Sequence, residues 1–176
     1  MVDPEIATGE AVQLFTATHH TLGVIPNLVK VMANSPAVLK GYVDVLGVLG
    51  AQGTLSADLL ERLALLVAQE NRSDYCLSAH WFRGTKVAGL TVVEATHARR
   101  GESGDSRAAA ALALAKAVVR DRGAVSDAQL AIVRQAGLTD GQIVEVIAQV
   151  AVNVLTNYLA KAARVDIDWP LVRHTD

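Results

Sequence analysis

The chain has 176 residues, of which 51% are hydrophobic and 19% charged, with a formal net charge of -2. That length suits one domain with an ample core, the apolar content excludes intrinsic disorder, and the charge leaves no electrostatic footprint for nucleic acid. The longest unbroken apolar stretches, Val45–Ala51 and Ala108–Ala115, fall short of the roughly 18 residues that a membrane span takes.

The first residues, Met1 to Glu5, are acidic where a secretory signal is basic, and no apolar segment follows them. A single cysteine allows no intrachain disulfide and fits a reducing compartment. The expected location is therefore the cytoplasm. Alanine and leucine dominate, and the valines fall at helical spacing. Apolar periodicity predicts helices over roughly 8–19, 27–34, 36–51, 57–72, 74–86, 92–100, 106–122, 127–136 and 140–164, and no stretch alternates long enough for a strand. The expected class is all-α, a compact multi-helix single domain over 1–170 followed by a C-terminal tail, 171–176, read as an arm.

Punctuation supports these spans. Ser35-Pro36 reads as an N-cap followed by proline at the first helical position. Thr91 with Glu94, Ser126 with Gln129 and Thr139 with Gln142 have the spacing of capping boxes, in which each side chain satisfies an orphan backbone donor of the other residue. Two of these starts follow the same tetrapeptide, Ala88-Gly-Leu-Thr91 and Ala136-Gly-Leu-Thr139, where glycine ends one helix in the left-handed conformation and threonine opens the next. Gly53, Gly101 and Gly123 end three other helices.

The chemistry-bearing residues gather around the lone cysteine. Cys76 and His80 stand at i and i+4 on one helix face, and Ser73, three residues before Cys76, shares that face and is the natural N-cap. A cysteine in the first helical turn meets unpaired N–H groups and the positive end of the dipole, which favour thiolate over thiol. Glu61 lies on the preceding helix, and the short connection makes the two helices neighbours, so its carboxylate is placed to approach His80. Plainer readings stand beside this one: Cys76 as inert core, His80 as a satisfied interior histidine, Ser73 as a cap and Glu61 as a solvated surface acid. Zinc binding would need Glu61 or one of His19, His20, His97 and His174 to complete the pair Cys76 and His80. No metal and no cofactor is expected. Glu145, Gln149, Asn153 and Thr156 form a polar stripe on the last helix, read as a wetted face opposite Val144, Ile147, Ala151, Val154 and Leu155, with a subunit contact or a pocket lining as the alternative. Trp81, Phe82, Tyr158 and Trp169 are read as packing residues, and His19-His20 as a helix end.

The pattern Glu61-x11-Ser73-x2-Cys76-x3-His80 resembles the signature of the alkyl hydroperoxidase D/carboxymuconolactone decarboxylase superfamily, Glu-x11-Cys-x2-Cys-x3-His. Ile25-Pro-Asn-Leu28, Ala33-Asn-Ser-Pro36, Leu55-Ser56, Tyr75-Cys-Leu-Ser-Ala-His80, Thr156-Asn-Tyr158 and Asp168-Trp-Pro170 resemble its peroxidase-related branch, so that the likeness extends over about 14–170. The resemblance implies an alkyl hydroperoxidase D-like helical protomer that assembles into homo-oligomers, trimers or hexamers. It also implies a hydroperoxide as substrate, Cys76 as peroxidatic nucleophile, and His80 with Glu61 as proton relay. The partner cysteine of that cycle stands at Ser73 here, and a hydroxyl forms no disulfide, so an external thiol or dithiol reductant would have to resolve the sulfenic acid. Two other outcomes follow from the same departure: acid–base lyase or isomerase chemistry on a small carboxylate or lactone, as in the decarboxylase branch, or a non-catalytic oligomeric module. The expected partners are a small molecule, a thiol and further copies of the chain, with neither nucleic acid nor membrane.

Overall fold

The protein is described by a computed structural model covering residues 1–176, side chains of Thr21 and Leu22 excepted. Among the described residues every regular element is helical: α1 (Glu10–Leu22), α2 (Asn27–Met32), α3 (Pro36–Gln52), α4 (Ala57–Glu70), α5 (Asp74–Lys86), α6 (Val92–Arg100), α7 (Ser106–Arg120), α8 (Asp127–Gln135) and α9 (Asp140–Ala162). The class expected from periodicity is the one observed.

The three capping boxes form, at Thr91/Glu94, Ser126/Gln129 and Thr139/Gln142. Gly89 and Gly137 take left-handed φ values of 79° and 93° in the repeated tetrapeptides. Gly53 ends α3 differently, in extended backbone, where a Cβ would come within 2.2 Å of the Leu49 carbonyl oxygen. Four expected helices run two residues too long: α2 stops at 32, and three others end alike. α4, α7 and α9 stop at 70, 120 and 162, and Arg72, Arg122 and Arg164 turn left-handed at φ 53°, 53° and 51°. Each turn closes with an i to i-5 bond: Ser73 N–H to Ala68 O (2.9 Å), Gly123 N–H to Val118 O (2.9 Å) and Val165 N–H to Ala160 O (3.0 Å). This is helix termination of the Schellman kind, made by arginine in place of the usual glycine.

α4 is the axis of the fold. It packs on α5, α6, α7 and α9, and Leu63, Leu65, Leu66, Val67 and Ala68 on it are fully enclosed. One apolar cluster lies between α4, α7, α8 and α9, centred on Leu63, Leu112 and Val146. The other joins α1 to α6 around Phe15, Val29, Leu65 and Leu77. α3 leans chiefly on α1 and α2, with Leu39 as its one buried residue, and so stands off from the body of the bundle.

α9 is long and apolar enough to cross a membrane by length and composition, 23 residues at a mean hydropathy of 1.5. In this fold it is a core helix, packed on α2, α4, α5 and α7. The segment 171–176 lies on the body and does not project. Val172 N–H donates to Ser78 Oγ (2.9 Å), Gln69 Nε2 to His174 O (2.8 Å), Arg99 Nη2 to Arg173 O (2.7 Å), and His174 N–H to Asp74 Oδ1 (2.8 Å).

Candidate active site

A cavity of about 260 Å³ opens between α3, α4, α5 and α9. Glu61 from α4, Cys76 and His80 from α5, Tyr42 from α3, and Gln149, Asn153 and Thr156 from α9 all line it. Three of the four signature residues, Glu61, Cys76 and His80, are therefore brought to one wall. Ser73 lies behind that wall, fully buried at the α4–α5 turn.

Local structure explains the placement. The left-handed Arg72 turns the chain between α4 and α5, so that the helices pack together and present Glu61 to His80. His80 Nδ1 is 2.8 Å from Glu61 Oε2. Arg83 Nε donates to the other oxygen, Oε1, at 2.9 Å. Burial alone would push the Glu61 carboxyl up; the His80 ring and the Arg83 guanidinium outweigh it and hold the group below the usual carboxylate range. An ionised Glu61 accepts the proton on Nδ1, which leaves the lone pair of His80 on Nε2. That nitrogen has no partner among the described residues, and its ring lines the cavity. The reading of Glu61 as a solvated surface acid is overturned: it is buried and doubly bonded.

Two expectations about the thiol are corrected. The helix start was expected to favour thiolate, yet Cys76 is only 2% exposed. Burial pushes its pKa above the ordinary thiol value, while the neighbouring side chains of Ser73, Asn157 and Thr156 pull the other way and lose. Ser73 does occupy the N-cap position of α5, but its hydroxyl makes no cap bond. It turns inward, towards the sulfur.

The polar stripe of α9 faces inward as well. Gln149, Asn153 and Thr156 are buried, whereas Val144, Ile147 and Leu155 are 64%, 40% and 44% exposed, the reverse of a wetted polar face. The buried groups bond within their own helix, Asn153 Nδ2 to Gln149 O (2.8 Å) and Thr156 Oγ1 to Asn153 O (2.9 Å), and so tolerate the position. Glu145 leaves the stripe to bond the α4 entry, taking the N–H groups of Thr54 (2.8 Å) and Leu55 (3.2 Å). Among the aromatics, Trp81 and Trp169 pack against the core, and Trp169 also lines the cavity. Tyr158 and Phe82 are instead exposed, at 59% and 38%.

Tyr42 and Arg83 were not foreseen. Burial first, then the nearby Cys76, pushes the Tyr42 phenol up to about 12, which keeps it a proton donor at neutral pH. Arg83 was legible as the third member of the face that carries Cys76 and His80, at i+7 and i+3 from them. Tyr42, alone on an apolar helix, carried no such signal. Among the described residues no three His, Cys, Asp or Glu side chains gather as a metal-binding group.

The fold has counterparts in known proteins. Residues 36–120 match the carboxymuconolactone decarboxylase family. Three solved structures share the fold. An uncharacterized peroxidase-related protein from Silicibacter sp. TM1040 is 23% identical at a TM-score of 0.78, covering 94% of this chain and 90% of its own. The alkylhydroperoxidase AhpD core of an uncharacterized peroxidase-related protein from Ralstonia eutropha JMP134 is 19% identical at 0.80, covering 91% and 86%. A cysteine-to-alanine variant of the debrominase Bmp8, in complex with 2,3,4-tribromopyrrole, is 18% identical at 0.75, covering 89% and 84%. At these identities the likeness is one of fold. The curated proteins contain no match to the sequence.

Proposed function

We propose that the chain, whose residues 36–120 match the carboxymuconolactone decarboxylase family and whose fold is that of alkylhydroperoxidase D-like proteins, is a one-cysteine, thiol-dependent hydroperoxide reductase of that superfamily. The observation that carries the reading is the common cavity of Cys76 and the Glu61–His80 pair. A thiol whose pKa is raised needs a base, and His80 Nε2 is the available lone pair facing the same space.

His80 takes the Cys76 proton; the thiolate attacks one peroxide oxygen, the O–O bond breaks, and sulfur is oxidised to sulfenic acid. The leaving alkoxide takes a proton from the imidazolium, giving an alcohol. An external thiol then displaces water from the sulfenic acid to form a mixed disulfide, and a second thiol restores Cys76 and leaves as the external disulfide. Ser73 cannot replace that second thiol. Glu61 holds the imidazole and stabilises its charge, Arg83 keeps Glu61 ionised, and Tyr42 is a further donor on the cavity wall. A reducing compartment, the cytoplasm, is the setting this cycle requires. Homo-oligomerisation belongs to the same reading and is supported by the apolar residues exposed on α9.

One observation favours a second reading. A buried Cys76 that resists ionisation leaves Glu61 and His80 as an acid–base pair without a thiol, the arrangement a lyase or isomerase acting on a small carboxylate or lactone would use. Consumption of hydrogen peroxide and cumene hydroperoxide with dithiothreitol separates the readings. The peroxidase predicts turnover that disappears in Cys76→Ala. Turnover that survives Cys76→Ala and disappears in His80→Ala favours the acid–base enzyme, and an inert wild-type protein overturns the peroxidase.

A further inference from the structure

Two buried polar groups stand against the Cys76 sulfur without a partner. Ser73 and Asn157 are both fully enclosed, and the Ser73 Oγ and Asn157 Nδ2 atoms make no hydrogen bond. Among the described residues no other buried side-chain nitrogen or oxygen is left so. Such groups are rare in folded proteins, because each forfeits its hydration. Here both orphans neighbour the same atom.

Their orientation is fixed from behind. Asn71 Nδ2 donates to Asn157 Oδ1 at 3.0 Å, which assigns the amide so that its N–H groups are the free end. Lys161 Nζ in turn donates to the Asn71 carbonyl at 2.8 Å. Ser73 has its backbone spent, N–H to Ala68 O and carbonyl from Leu77 N–H, both at 2.9 Å, and its hydroxyl is free to rotate its proton. Thr156 also neighbours the thiol, but its hydroxyl proton is given to Asn153 O. Two donors therefore remain, one from the α4–α5 turn and one from α9.

We propose that the Ser73 hydroxyl and the Asn157 amide form a two-donor seat for negative charge on the Cys76 sulfur, first as thiolate and then as the oxygen of a sulfenate. A neutral thiol is a weak acceptor and leaves the donors unsatisfied; a thiolate or sulfenate oxygen is a strong one and fills both. Cys76 and His80 line the cavity and neither Ser73 nor Asn157 does, so the proton leaves toward the cavity while charge is held from outside it. In a chain without a second cysteine, it gives the oxidised sulfur partners until an external thiol arrives. The inference rests on Cys76 being the nucleophile, and it assigns the position of the missing cysteine a donor role.

The test reads ionisation without turnover. The rate of iodoacetamide alkylation of the full-length protein is followed against pH, together with thiolate absorbance near 240 nm. Ser73→Ala deletes an atom bonded to nothing and is the decisive variant. The seat predicts that its Cys76 midpoint rises by about one unit, with alkylation at pH 8 slowed about tenfold. Asn157→Ala shifts the midpoint in the same direction; because it also releases Asn71, its fold is checked by circular dichroism, and Ser73→Ala decides alone if it does not fold. An unchanged midpoint in Ser73→Ala overturns the seat. Dimedone labelling after one equivalent of hydrogen peroxide separates the two failures. A wild-type protein that never labels sinks the peroxidase, while the alkylation midpoints still decide the seat.

Discussion

Glu61 divides its carboxylate between two partners on α5, giving Oε2 to His80 Nδ1 at 2.8 Å and Oε1 to Arg83 Nε at 2.9 Å. The division separates two tasks. Arg83 and His80 together keep the buried carboxyl ionised against the cost of its own desolvation, and the ionised carboxyl fixes which ring nitrogen of His80 holds the proton.

Glu61→Gln preserves shape but removes the charge, so turnover should fall about a hundredfold, within the span that general acid–base groups contribute. Arg83→Ala should be milder and show itself in pH. Without the guanidinium the Glu61 pKa rises toward the carboxylate norm, and the acid limb of the rate profile moves to higher pH. Initial rates of both variants across pH 4–9 check this; an acid limb unmoved in Arg83→Ala would mean that Arg83 does not set the charge of Glu61.

Ser73 and Cys76 carry a stability signature as well. Deleting an unpartnered buried hydroxyl removes a desolvation penalty of about 1–3 kcal/mol, so Ser73→Ala should melt at or above the wild-type temperature near neutral pH even as Cys76 becomes harder to ionise. Cys76 and Tyr42 both have folded pKa values raised above their unfolded ones. Their contribution is fully present below the unfolded values of about 9 and 10, and it is lost as pH rises through the folded values, about 12 for Tyr42. Thermal melts between pH 7 and 12 should show an alkaline decline that Tyr42→Phe makes shallower. A decline of equal slope in Tyr42→Phe would assign it to other groups.

Much of this site could be read from the chain, and what could not has physical causes. Capping boxes are local chemistry, and all three form where residue spacing places them. The Glu61–His80 approach is tertiary, but a short α4–α5 turn leaves little freedom, so the pairing was foreseeable. Helix ends at Arg72, Arg122 and Arg164 were not, because arginine carries no propensity for the left-handed turn that tertiary packing gives it. α9 misled most. A helix with one polar and one apolar face is ordinarily placed polar-side out, and here the polar side lines a cavity while the apolar side is bare.

That bare side bears on assembly. Val144, Ile147, Leu155 and Tyr158 follow one another at helical spacing and are all exposed, a face that a second copy of the chain would cover in the homo-oligomer proposed above. Light scattering should find the wild-type protein larger than a monomer, and Ile147→Glu with Leu155→Glu should reduce it to smaller species. An unchanged oligomer in the double variant would move the interface elsewhere.

The last relationship ties the ends of the chain to the site. Tyr75, next to Cys76, donates its hydroxyl to Asp168 Oδ2 at 2.7 Å and accepts the Leu28 N–H at 3.1 Å. Asp168 also takes the Asn27 N–H at 3.1 Å at the start of α2, and Trp169 stands edge-on to the Tyr75 ring at 5.7 Å. Two motifs 141 residues apart, around Asn27 and Asp168, thus meet on the residue beside the nucleophile, with Pro26, Leu28 and Trp169 forming cavity wall. Tyr75→Phe leaves the Asp168 carboxylate and the Leu28 N–H each short of a partner. The expected cost is about 1–3 kcal/mol, the penalty of groups left unpaired, with the wall around Cys76 loosened. Iodoacetamide should then alkylate Cys76 faster at a fixed pH with an unshifted ionisation midpoint, the mark of access and not of charge. A slower reaction, or a midpoint that moves with it, would place Tyr75 in the electrostatics of the sulfur instead of its enclosure.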